Sequence, residues 1–205
     1  MASVKNIDVL VIGGGPGGTP AAMALAQAGR EVMLVEAGRG LGGTCLFEGC
    51  IPSKIFRETA ARRRAITQAG EFGLRLDSRK IPGVDWSAVQ SRRDRILTQR
   101  AQGALAKARA LPGLEVLFGH ARLTGPHTAL VELPDARRTI SFDQAVLATG
   151  SVPDRLPIPG VELPGVLDSE KLIKIGFVPE SLALIGGGPI GVEMAQRSSP
   201  CSAAG

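Results

Sequence analysis

Two cysteines, Cys45 and Cys50, stand five residues apart in Gly42-Gly43-Thr44-Cys45-Leu46-Phe47-Glu48-Gly49-Cys50-Ile51-Pro52-Ser53-Lys54. Thiols at that spacing can be core residues, half of a metal site or a redox pair. A structural zinc wants four ligands, and only Cys201, His120 and His127 remain to supplement the pair. A disulfide carries a geometric condition. In a regular helix, residues i and i+5 have Cα atoms roughly 8.6 Å apart, whereas a disulfide needs about 4.4–6.8 Å. A bonded pair would therefore require a distorted turn, to which Gly49 and Pro52 are suited. A helix N-terminus at such a turn lowers a thiol pKa and favours the reactive thiolate.

A second chemistry is written in glycine. Gly13, Gly15 and Gly18 form a Gly-x-Gly-x-x-Gly pattern after the apolar run Asp8 to Ile12. Such glycines permit a tight turn, close backbone approach to a pyrophosphate and close packing of helix on strand. The helix N-terminus then offers free N–H groups to phosphate. Glu36 closes the next apolar run, 23 residues after Gly13, where an acid can accept ribose hydroxyls. The pattern recurs 173 residues later as Gly186, Gly188 and Gly191, after Ser181 to Ile185. So long an offset is no solenoid repeat; it predicts two dinucleotide sites. The acid or arginine that would separate NAD from NADP falls about 20 residues beyond the second turn, past Gly205, so NADP is not excluded.

These groups need a scaffold. Ile7 to Ile12 reads as a strand buried on both faces. Ala21 to Ala28 is strongly helix-forming and ends at Gly29, and Glu31 to Glu36 reads as the next strand. Together they make one βαβ unit with a right-handed crossover. Cys45 to Ala69 and Trp86 to Leu111 read as helices, and Leu114 to Val131 as short strands broken by Gly119, Gly125 and Pro126. Gln144 to Thr149 reads as another apolar strand, ended by Gly150. Pro153, Pro157, Pro159 and Pro164 mark a crossing segment. The fold class is α/β: a Rossmann-like domain with a parallel sheet over residues 1–151, then a linker and the first βα unit of a second such domain over 152–205.

Composition narrows the classes. Of 205 residues 44% are hydrophobic and 21% charged, which excludes a disordered chain. No apolar run approaches the ~18 residues of a membrane span, and no cleavable signal pattern precedes the first strand. Three cysteines do not make a secreted disulfide framework. A cytoplasmic protein without membrane partners is the expectation. The net charge of +5 comes with one Trp, six Phe and no Tyr, a poor stacking surface for nucleic acid. Arg62-Arg63-Arg64 and Arg92-Arg93-Asp94-Arg95 read as solvated helix faces.

The stretch from Gly42 to Lys54 resembles the redox-active disulfide signature of the class I pyridine nucleotide–disulfide oxidoreductases. That family includes dihydrolipoyl dehydrogenase, mercuric reductase and glutathione reductase. The rest of the chain agrees in order, with the glycine turn, Glu36, Gly119-His120-Ala121, Ala148-Thr149-Gly150 and the second glycine turn. Pro52-Ser53-Lys54 is most similar to dihydrolipoyl dehydrogenases and mercuric reductases. The resemblance implies FAD on Gly13, Gly15, Gly18 and Glu36. It places the flavin near Gly43, Thr44, Gly119, Ala121, Thr149 and Gly150. NAD or NADP would lie on Gly186, Gly188 and Gly191. It further implies that Cys45 exchanges with a small dithiol or lipoyl-type substrate and that Cys50 faces the flavin. Lys54 and Glu193 would form an ion pair beside the ring.

Family members are roughly twice as long and end in a dimerisation domain that carries a His–Glu base. Nothing in this chain corresponds to it, and neither His120 nor His127 is expected to be catalytic. Arg197 to Gly205 is not helix-like, and Pro200 is expected to break the helix that opens at Gly191. A truncated or frame-shifted fragment, inactive alone and without a role for Cys201, is the expectation. The full-length form is expected to be a homodimer. The competing readings are a mercuric or other flavin disulfide reductase, and a non-catalytic flavin- or nucleotide-binding module.

Overall fold

The structure, a computed structural model, describes residues 5–75 and 83–202. Two compact units are present. One comprises residues 1–47 and 98–152, the other 48–97 and 153–205.

The first unit holds a six-stranded sheet. Its strands are β1 (Lys5–Ile12), β2 (Val32–Glu36), β3 (Leu114–Phe118), β4 (His120–Gly125), β5 (Thr128–Glu132) and β6 (Arg137–Leu147), in the order β3-β2-β1-β6-β5-β4. The four strands from β3 to β6 run parallel, and β5 and β4 continue antiparallel. Val11 sits opposite Leu34 on one side and Val146 on the other, so β1 is central. Its run of apolar residues follows from burial on both faces. Val9 and Val11 pack with Val32, Leu34 and Leu41 against Ala22 and Ala26 of α1 (Gly18–Gln27). Leu10 and Ile12 pack with Met33, Val35, Val131 and Phe142. Alanines on α1 let the helix approach closely, and Gly29 follows it at a φ of +81°, the left-handed position that favours glycine after a helix.

β6 differs from the run Gln144 to Thr149 that the sequence marks as a strand. It starts at Arg137, because β5 pairs with its first half while β1 pairs from Ile140 onward. Alternating exposure there hides a strand that a continuous apolar run does not announce. Thr149 and Gly150 lie just beyond its end.

The second unit is helical. It contains α3 (Cys50–Thr67), α5 (Ser169–Lys174), α6 (Pro189–Ser202) and the first half of α4 (Trp86–Arg109), whose second half belongs to the sheet unit. Phe56 stacks on Trp86 with ring centroids 4.9 Å apart. Two expectations are corrected. Ser181–Ile185 is not a strand, and Ile185 is 77% exposed. A strand needs a neighbour to satisfy its backbone, and among the described residues no strand pairs with this segment. Pro200 does not break α6, which runs to Ser202. In a last turn a proline removes one backbone bond with little helix left to disturb. Of the basic clusters, Arg62, Arg64, Arg92 and Arg95 are exposed on helix faces, but Arg93 is half-buried. No helix among the described residues is long and apolar enough to cross a membrane.

Candidate functional site: a glycine turn, an acid and a cysteine segment

The sequence Ile12-Gly13-Gly14 bends sharply because Gly13 takes a φ of +102°, which side-chain-bearing residues avoid. Space gives a second reason. A Cβ on Gly13 would fall into the carbonyl of Ala148, and one on Gly18 into the carbonyl of Gly13. The turn is therefore packed against the end of β6 and against its own helix. Thr19, which the motif does not specify, donates its hydroxyl to the Gly14 carbonyl at 2.7 Å. Its position one residue past the third glycine was the available signal.

Glu36 ends β2 beside this turn. One carboxylate oxygen accepts the Gly14 N–H at 2.5 Å, and the other accepts the Gly38 N–H. The acid is thus held at the turn's backbone by two charge-assisted hydrogen bonds. Gly42 and Gly43 approach from the other side. The Gly42 N–H donates to the Gly14 carbonyl at 2.8 Å. A Cβ on Gly43, whose φ is +55°, would come within 2.7 Å of the Gly15 Cα. Only glycine permits that contact, so the start of the cysteine segment rests on the glycine turn. Gly119 donates its N–H to the Glu36 carbonyl at 2.9 Å, and Ala121 follows on β4 opposite Val131. Thr149 and Gly150 are exposed after β6. Most of these residues thus gather at the C-terminal ends of β1, β2 and β6, the crevice where open parallel sheets bind ligands.

The cysteine segment then divides. Thr44, exposed, and Cys45, half-exposed, lie on the short helix α2 (Gly43–Phe47). Cys50, exposed, is the first residue of α3. Glu48 and Gly49 break the helix between them, with Gly49 at φ −142° and ψ −104°. No regular helix runs through both thiols. Ser53 holds the first turn of α3 through its hydroxyl, which donates to the Cys50 carbonyl at 3.1 Å.

In the helical unit, the Lys54 ammonium lies 3.0 Å from a Glu193 carboxylate oxygen, joining α3 to α6. Burial pushes the Glu193 carboxyl up, but the Lys54 hydrogen bond and charge, with Ser53 and Arg57, more than offset it and leave it below the usual value. The second glycine turn precedes α6. Gly186 has a φ of +108°, and a Cβ on Gly191 would fall into the Gly186 carbonyl, as in the first turn. Gly186 and Gly188 are exposed, with open space around them.

Parallel strands that end in such a turn, with an acid closing the second strand, define a Rossmann-like dinucleotide-binding protein. Comparison with known proteins sharpens that class. The chain belongs to the pyridine nucleotide-disulphide oxidoreductase family, whose model matches residues 7–201. It is 39% identical over 191 residues to the dihydrolipoyl dehydrogenase of Bacillus subtilis (strain 168), covering 92% of this chain and 41% of that protein. It is 36% identical over 203 residues to the glutathione reductase of Yarrowia lipolytica (strain CLIB 122 / E 150), covering 95% and 42%. Among solved structures it is similar to the HOCl-induced flavoprotein disulfide reductase RclA from Escherichia coli. That match has a TM-score of 0.80 and 27% identity, over 97% of this chain and 41% of the other. The chain spans about two-fifths of the length of these relatives. FAD and a pyridine nucleotide are the cofactors of this family of oxidoreductases.

Proposed function

We propose that this chain is the flavin-binding and redox-cysteine portion of a dihydrolipoyl-dehydrogenase-like enzyme, acting on a small dithiol or lipoyl-type substrate. In this reading residues 1–151 form the FAD domain, and 152–205 are the linker with the glycine turn and helix that open an NAD(P) domain. One observation carries the reading: the glycine turn, Glu36 and Gly42-Gly43 converge within the sheet unit, directly before Cys45. A cradle that a single Cβ would fill fits a pyrophosphate, and a fixed carboxylate fits ribose hydroxyls. FAD would be held by Gly13, Gly15, Gly18 and Glu36. Bound there, it supplies two-electron exchange with thiols and hydride exchange with nicotinamide.

The chain's own groups do the sulfur chemistry. A substrate thiolate attacks Cys45, and Cys50 leaves as a thiolate as the Cys45–Cys50 bond breaks. The second substrate thiol then displaces Cys45, so the substrate departs as a disulfide and both cysteines are reduced. Cys50 is the first residue of α3, and Lys54, paired with Glu193, stands one turn further on.

Dihydrolipoamide oxidation by NAD+ tests the reading. A protein that contains this chain together with the remainder typical of its relatives should turn over, and Cys45→Ser or Cys50→Ser should abolish it. This chain alone should show essentially no turnover. The intact protein is read as a cytoplasmic homodimer. Full activity in Cys50→Ser would overturn the assignment.

A further inference from the structure

The break between α2 and α3 has little to hold it. Gly49, the N-cap of α3, has no side chain with which to cap it. Glu48 is the one residue of the break with a side chain that can reach a partner. Its carboxylate accepts from the Lys174 ammonium at 2.5 Å. Lys174 ends α5, a helix of six residues. A helix so short does not persist by itself, yet this one is fixed at both ends. At its start the Asp168 side chain accepts the Lys171 N–H at 2.8 Å. At its end three side chains of α4 donate to its last carbonyls. Trp86 and Gln90 reach the Ile175 carbonyl at 3.1 and 2.6 Å, and Arg93 reaches that of Ile173 at 3.0 Å. Ile173 is buried beneath.

We infer that Glu48 is a positioning residue for Cys50, clasped by Lys174 so that α5 fixes the turn entering that cysteine. This rests on the redox assignment proposed above. A Cys–Cys bond closes only within a narrow range of Cα separations, so the balance of open and closed pair reports whether the position of Cys50 is fixed. Lys171, on the same helix, is paired instead with Asp168 at 3.3 Å.

The test is the equilibrium between the protein disulfide and a small dithiol buffer in the full 205-residue chain. The protein S–S bond breaks as the buffer dithiol closes to its own disulfide, with two electrons and two protons passing to the protein thiols. Lys174→Met should lower the constant for closing the pair by about threefold to tenfold, the scale of a half-exposed charged hydrogen bond. Lys174→Arg should restore it. Lys171→Met, on the same helix but facing Asp168, should leave it unchanged. A Lys174→Met constant equal to wild type would overturn the inference. So would a loss that arginine does not restore, or one that Lys171→Met reproduces. The redox reading fails separately, if wild type forms no Cys45–Cys50 bond in an oxidised buffer.

Discussion

The two glycine turns share a sequence and differ in what surrounds them. Both bend at a glycine of nearly equal φ, +102° at Gly13 and +108° at Gly186. In both, the third glycine lies so close to the first that a Cβ has no room. Yet the first turn follows a central strand and packs on Ala148, whereas the second follows an exposed, unpaired segment. The shape of such a turn is local, carried by six residues and the helix they open. The strand before it is not, because a strand exists only where neighbours take its hydrogen bonds. The same backbone turn can therefore form with or without a paired strand before it.

Substitutions can break that comparison. Gly13→Ala meets both a positive φ and a carbonyl in the way, and should destabilise the chain by about 3 kcal/mol or more. Gly186→Ala meets strain alone and should cost about 1 kcal/mol. Urea unfolding of the two variants checks this, and equal losses would erase the distinction drawn between the turns.

Glu36→Gln sharpens the first site by replacing an acceptor of two backbone N–H groups with an amide. FAD affinity, read by quenching of flavin fluorescence, should fall about tenfold to a hundredfold, in line with hydrogen bonds to a charged group. An unchanged affinity would remove Glu36 from the site.

The smallest effect concerns pH. The Glu193 carboxyl is held below its ordinary value of 4.5. A lowered carboxyl contributes stability that is full above its unfolded pKa and is lost as pH falls through the folded one. Lys54→Met should therefore lower stability at pH 7 slightly and converge with wild type below that lowered value. The half-exposed lysine keeps the effect modest. A constant gap down to the acid limit would show that the pair is not the source.

What could be read in the sequence follows the same division between local and non-local. The βαβ unit was legible because β1 is buried on both faces and α1 is rich in alanine. The Lys54–Glu193 pair was legible through family resemblance, although 139 residues separate the two. The early start of β6 was not, since its first half is half-solvated and its pairing with β5 is a tertiary fact. Nor was the clasp on Glu48, because Lys174 stands among ordinary helix charges. Arg93 looked like a surface charge and is instead a cap on the carbonyls of α5.

The proposed function makes Cys50 the thiol that exchanges electrons with FAD. It is tested most directly by the absorption spectrum of the FAD-supplemented chain after stoichiometric reduction with a dithiol. The account predicts a long-wavelength band from a Cys50 thiolate against oxidised flavin, absent in Cys50→Ser. A chain that binds no FAD, or a band that survives Cys50→Ser, would contradict it.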